Sequence, residues 1–148
     1  MPQSLSRVLI HVVFSTKHRE DSIPIEVDAD LHAYLGGIGR NLACPAIAVG
    51  GTANHVHLLV NLARTVTIAD LLMNLKRDSS KWMKTKGVDA FAWQDGYGAF
   101  SIGESALEDV CRYIATQRAH HEKMTFQDEV RALCRKYGVE LDERYAWE

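Results

Sequence analysis

Residues 54–60 read NHVHLLV, and the reading of this stretch decides the fold. A strand turns successive side chains to opposite faces. Read as a strand, the run sends Val56, Leu58 and Val60 one way and His55 and His57 the other. The first set makes a core face. The second opens with two imidazoles that need a different occupation. Just upstream, AIAVG (46–50) is a short apolar run closed by Gly50-Gly51, so the two runs predict a hairpin.

Outward from the hairpin, VLIHVVFS (8–15) is β-branched and apolar and predicts a buried strand. Residues 25–42 keep a helical period through Val27, Leu31, Leu35, Ile38 and Leu42, with Pro24 suited to the start. Thr67-x-x-Asp70 opens a second helix as a capping box, and Leu71, Leu72, Leu75, Trp82 and Met83 form its packed stripe. After the Asp95-Gly96 turn, YGAFSI (97–102) predicts a fourth strand. Ser105-x-x-Glu108 caps a third helix running to about residue 122; Thr125-x-x-Asp128 caps a fourth, stopped by Gly138. The order is β-α-β-β-α-β followed by two helices. That is an α+β, ferredoxin-like antiparallel sheet with two additional C-terminal helices. The first and third strands take the centre, and helices one and two cover one face. His55 and His57 then lie on the other face, which needs the C-terminal helices or a second subunit over it.

The 148 residues are 47% hydrophobic and 24% charged, enough for one domain over residues 1–148 with a real core. No apolar run approaches the ~20 residues of a membrane span. The start, MPQSLSRVLI, lacks a signal-peptide layout, so a cytoplasmic location is expected. Cys44, Cys111 and Cys134 are odd in number and show no C-x-x-C spacing, which points to free thiols. A net charge of −2 gives no global nucleic-acid signal. Its distribution says more: KRDSSKWMKTK (76–86) sets five basic side chains against one acid. Lys76, Arg77 and Lys81 are the leading phosphate-contact candidates, followed by Lys17 and Arg19 after the first strand.

His-x-His on one strand face presents two nitrogens convergently, and neutral imidazole is a good ligand for divalent metals. Alone, the pair reads better as half-buried strand histidines satisfied by hydrogen bonds. The third helix adds to it. Beside the apolar stripe of Leu107, Val110, Ile114 and the Arg118 stem runs a polar stripe of Tyr113, Gln117 and His120. A tyrosine four residues before a glutamine places both tips in one small volume. Two histidines and a glutamine could hold a cation, leaving positions for phosphate oxygens, while Tyr113 attacks in line. Its hydroxyl, with an ordinary pKa of ~10, needs help from the metal field or a base. This ligand set contains no carboxylate. His121 returns toward the core stripe, and His11 reads as a satisfied buried histidine. Tyr97 could stack on a base, whereas Phe100 suits the core.

Together, NHVHLLV and YIATQ (113–117) resemble the His-hydrophobic-His, single-tyrosine transposases of bacterial insertion sequences. VVFSTKHR (12–19), LKRDSSKW (75–82), WQDGYGAFSI (93–102) and QRAHHEKMTFQDE (117–129) follow the same layout, in order. The resemblance implies a ferredoxin-like catalytic domain, a homodimer, and single-stranded DNA substrates with hairpin ends. It implies cleavage and rejoining through a 5′-phosphotyrosine, with Mg²⁺ or Mn²⁺ and no nucleotide cofactor. His55, His57 and Gln117 would be the metal ligands and Tyr113 the nucleophile, in cis or in trans. The slightly acidic chain departs from the basic balance expected of a DNA transposase and leaves binding to local clusters. The rival readings are a non-catalytic hairpin-binding protein on the same fold and a metal protein that uses water in place of Tyr113.

Overall fold

The computed structural model describes residues 2–148. In chain order its elements are β1 (Leu9–Ser15), α1 (Ile25–Asn41), β2 (Ala46–Gly51), β3 (His55–Asn61), α2 (Ile68–Thr85), β4 (Gly98–Ile102), α3 (Leu107–Ala115), α4 (Gln117–His121) and α5 (Phe126–Tyr137). The sheet is antiparallel throughout, in the order β2-β3-β1-β4. The expected centre, β1 and β3, is the observed one. No helix among the described residues is long and apolar enough to cross a membrane.

Alternation divides the core in two. Ile10, Val12 and Phe14 of β1, with Val56, Leu58 and Val60 of β3, pack under Leu31 and Leu35 of α1 and Leu71, Leu72 and Leu75 of α2. Leu58 is fully buried there, and burial of one such side chain is worth about 1.5–3 kcal/mol. The opposite face carries Leu9, His11 and Val13 of β1, and His55, His57 and Leu59 of β3. Its cover comes from the same chain. Val110 and Ile114 of α3 pack on Leu9 and Leu59, while Phe126, Leu133 and Cys134 of α5 pack with Val13 and Phe100.

The third helix departs from its expected length. It stops at Ala115, Thr116 leaves the helical region at φ −107°, ψ 22°, and α4 begins at Gln117. The Thr116 hydroxyl donates to the Arg112 carbonyl at 2.9 Å, the kind of local bond that competes with helix continuation. Both terminal caps of α5 match expectation. Thr125 accepts from the Asp128 N–H at 3.2 Å, and Gly138 takes the left-handed conformation at φ 67°. Thr125→Ala is expected to lower stability by about 1 kcal/mol, read as a shift in the urea midpoint at unchanged slope.

Candidate active site

Gly50 sets the closeness of the site. It pairs directly with His57 across the β2–β3 ladder, so a side chain there would project onto the same face. A Cβ at Gly50 would collide with the Ile114 carbonyl oxygen. Its absence lets α3 lie against β2 and carries the neighbouring Tyr113 over His57, with ring centroids 5.7 Å apart and nearly perpendicular. Tyr113 thus reaches the histidine face within one chain.

The break at Thr116 turns the next residues inward. Gln117 is buried; its Oε1 lies 3.1 Å from His55 Nε2, and its Nε2 donates to the Tyr113 carbonyl at 3.3 Å. Arg118 turns out to solvent and pairs with Asp28 of α1 at 3.2 Å rather than lying along the apolar stripe. His121, which an unbroken helix would aim at the core, meets His55 edge-on with centroids 4.3 Å apart.

Glu129 stands at this face although it is not among the expected site residues. This residue of the first α5 turn is buried, with Oε1 2.9 Å from His57 Nε2, 3.0 Å from His121 Nε2 and 3.4 Å from His55 Nε2. Its Oε2 accepts from the Tyr113 hydroxyl. The donor set is expected to lack a carboxylate, and the structure places one beside it: His55, His57, His121 and Glu129 have donor atoms all within 4.8 Å of one another and could hold a metal ion. A signal was present. Glu129 lies between Phe126 and Leu133 on the buried stripe of α5, where an acid is out of place unless it has partners.

Hydrogen bonds orient both strand imidazoles. The Asn54 amide donates to the Arg19 carbonyl through Nδ2, which leaves Oδ1 as the atom 2.7 Å from His55 Nδ1. Oδ1 only accepts, so the His55 proton sits on Nδ1 and a lone pair on Nε2 faces the site. His57 Nδ1 lies 2.8 Å from His11 Nε2, so the buried His11 is satisfied as expected and holds the His57 ring.

Burial, with His57 beside each, pushes His11 and His55 down to about 3, so both are neutral at physiological pH. Burial and the Glu129 carboxylate raise the Tyr113 hydroxyl above its ordinary value. Glu129 is pushed up by burial, but His121, His57 and Tyr113 outweigh this and hold it well below the carboxylate range. The two histidines have folded values below the ~6.5 of the unfolded chain. Between those values the unfolded chain binds the protons, so stability is complete above pH ~6.5 and falls by up to about 1.4 kcal/mol per pH unit per imidazole on acidification. Glu129 acts with the same sign below ~4.3. Chelator-treated protein is expected to lose denaturant resistance steadily from pH 6.5 to 4, and a flat urea midpoint over that range would contradict the burial described here.

Residues 4–117 match the family described as Transposase IS200 like. The chain belongs to the IS200-like transposase family. His55, His57, Tyr113 and Gln117 fall inside the matched span, whereas His121 and Glu129 lie beyond it. Two solved structures share the fold of this family member. A candidate transposase from Deinococcus radiodurans R1 is 21% identical with a TM-score of 0.62, over 77% of this chain and 95% of that one. A REP-associated tyrosine transposase bound to a REP hairpin is 12% identical with a TM-score of 0.59, over 82% and 72%. No curated protein sequence matches significantly.

The basic residues of this IS200-like transposase separate into two groups. Lys76 turns inward: its Nζ donates to the Gln94 carbonyl at 2.8 Å and to the Gly96 carbonyl, and it lies over the Phe14 and Tyr97 rings. It ties α2 to the loop before β4. Arg77 is exposed but pairs with Asp78 and Asn74. Lys17 and Lys81 are exposed, and Arg19 donates to the Trp147 carbonyl at 3.0 Å. Tyr97 is exposed beside a groove of about 570 Å³ that also takes in Tyr145 and Trp147, while Phe100 is buried against Tyr137.

Proposed function

We propose that this chain cleaves and rejoins single-stranded DNA at hairpin ends through a covalent 5′-phosphotyrosine on Tyr113. The observation that carries the reading is the convergence, in one chain, of the Tyr113 hydroxyl and the His55–His57 face on a single buried carboxylate. A cleft of about 360 Å³ between α3 and α5, lined by His11, Tyr113, His120 and Glu129 among others, gives access to that point. The DNA-bound structural relative supports a hairpin as the substrate form.

His55, His57 and Gln117, joined by Glu129, supply neutral nitrogen and oxygen donors with one negative charge, which suits a divalent cation. Bound Mg²⁺ or Mn²⁺ would withdraw charge from the scissile phosphate and orient it. Glu129 Oε2 already holds the Tyr113 proton by hydrogen bond and receives it as the phenolic oxygen attacks phosphorus. The bond to the upstream 3′ oxygen breaks, and that oxygen leaves with a proton from solvent. Rejoining reverses the step: a 3′-hydroxyl attacks the phosphotyrosine and Tyr113 recovers its proton. His11 keeps the His57 ring fixed throughout.

The test is a denaturing gel of full-length protein incubated with end-labelled hairpin DNA and Mn²⁺. Label carried on the protein, and lost on chelation, supports the reading. Binding without covalent capture supports a hairpin-binding protein instead; the observation favouring that alternative is the grip of Glu129 on the nucleophile.

Among the basic residues, Lys81 and Lys17 suit phosphate contact better than the internally bonded Lys76. Lys81→Gln is expected to weaken hairpin binding and reduce the slope of log affinity against log salt by ~0.7–0.9. Lys76→Gln is expected to lower stability and leave that slope unchanged. Fluorescence anisotropy across a salt series separates them, and the opposite pattern would return Lys76 to the DNA surface. Two copies are expected to assemble as a homodimer, read by sedimentation with and without the hairpin.

A further inference from the structure

Tyr113 sits at the inner end of the cleft between α3 and α5, and the outer part of that cleft takes no part in the chemistry above. Its walls differ from its floor. Val110 of α3, Met124 of the α4–α5 connection and Leu133 of α5 make the walls apolar, while the buried His11 and Glu129 lie beneath them. The His120 ring meets the Tyr113 ring edge-on, centroids 5.0 Å apart, and its side chain stays 34% exposed. A planar ring with an open face, set among apolar side chains, is a surface on which a nucleobase stacks.

The charge at the mouth is positive. Lys136 of α5 is exposed there, with its Nζ 5.3 Å from the centre of the Tyr137 ring, and it makes no salt bridge among the described residues. Its charge reaches the floor, where it adds to the effects that keep His11 neutral. Asp109 at the same mouth is engaged by Arg112 at 3.2 Å. An adjoining hollow of about 340 Å³ shares His120 and Met124 with the cleft and is lined by a second exposed cation, Lys123.

Size and position choose the occupant. A volume of about 360 Å³ lies at the lower end of the ~300–1,000 Å³ of small-ligand sites, room for one nucleotide and not for a base pair. The phosphate that Tyr113 attacks must lie at the inner end, and the strand is covalently continuous. The nucleotide beside that phosphate therefore has to pass out through the cleft. We propose that the α3–α5 cleft is a subsite for one unpaired nucleotide next to the scissile phosphate, with its base against Met124, Leu133 and the His120 ring and its outer phosphate on Lys136. This rests on the reading of Tyr113 as the nucleophile and names the part of the substrate held beside it. Met124, Leu133, Lys136 and His120 all lie beyond the family match, which ends at residue 117.

The test measures fluorescence anisotropy of full-length protein with a DNA hairpin carrying single-stranded extensions, against the same hairpin with a blunt end. An abasic nucleotide is then moved along each extension. The expected result is tighter binding of the extended hairpin, with most of the gain lost at one abasic position, since one stacked base is worth ~5–100-fold in affinity. Ala132→Phe, which fills the cleft, is expected to remove the gain and leave blunt-hairpin binding unchanged. Lys136→Gln is expected to reduce the slope of log affinity against log salt by ~0.7 for the extended hairpin only. The wild-type scan decides without any variant: no gain from the extension, or a scan with no single sensitive position, overturns the subsite. Equal losses on blunt and extended hairpins in both variants overturn it too, and move Lys136 to the hairpin surface. Covalent capture on the gel separates the two readings. Capture with a flat scan leaves Tyr113 as nucleophile and removes the subsite, whereas one sensitive position without capture leaves a nucleotide subsite on a binding protein and removes strand transfer.

Discussion

Tyr113→Phe is expected to abolish covalent capture of labelled hairpin DNA and to reduce strand cleavage by ~10³-fold or more, because no other hydroxyl occupies its place over His57. The ring stays, so packing against His11 and His57 is retained. Glu129 loses one donor but keeps its contacts with His57 and His121, so the cost in stability is about 1–2 kcal/mol. Binding of the hairpin should be unchanged. Cleavage that survives in this variant would identify water as the nucleophile, and label retained on the protein would place the covalent bond on another residue. Both outcomes are read from one gel of wild-type and variant protein.

Gly50→Ala is expected to be the most damaging single methyl group in the sheet. Its Cβ would meet the Ile114 carbonyl oxygen and approach Ile114 Cγ2 to 3.0 Å. A backbone oxygen in the last turns of α3 cannot swing aside as a side chain can, so the helix must back away from β2. The expected loss is about 2–4 kcal/mol in urea unfolding. Displacing Tyr113 from His57 by a fraction of an ångström to 1 Å should add a ~10–100-fold loss of cleavage in whatever protein still folds. Gly37→Ala is the control: an added Cβ there, in α1, meets nothing within 4 Å, so it should be neutral or stabilising. A Gly50→Ala protein as stable and active as wild type would remove the close approach of α3 as the device that positions the nucleophile.

The fold was legible because each strand is buried on at least one face, and alternation then specifies which residues share it. NHVHLLV gave the central strand, the Gly50-Gly51 step gave the hairpin, and Thr67, Thr125 and Gly138 marked helix ends through local bonds that the structure contains. Tyr113 and Gln117 stand out in the sequence because they lie four residues apart, and the structure brings both side chains to the histidine face across the Thr116 break. What escaped depended on long-range geometry. Nothing local in YIATQRAHH announces that Thr116 ends one helix and re-aims the next, so His121 was assigned to the wrong side. Glu129 is masked by its neighbour, since Val130 fits an apolar period with Phe126 and Leu133 almost as well. Lys76 looked like its basic neighbours because sequence records charge and not the carbonyls a side chain will find.

The short path from Gly50 through Ile114 to Tyr113 has a kinetic consequence. Because nucleophile, imidazoles and carboxylate belong to one chain, the rate of breaking a strand per molecule of bound DNA should not change with protein dilution. Under the proposed mechanism, joining the ends of two different strands is another matter, since each end would be carried by its own tyrosine and two molecules would have to meet. The ratio of joined to merely cut product should therefore rise with protein concentration while the cutting rate stays constant, so that abundance sets whether an encounter ends in a break or an exchange.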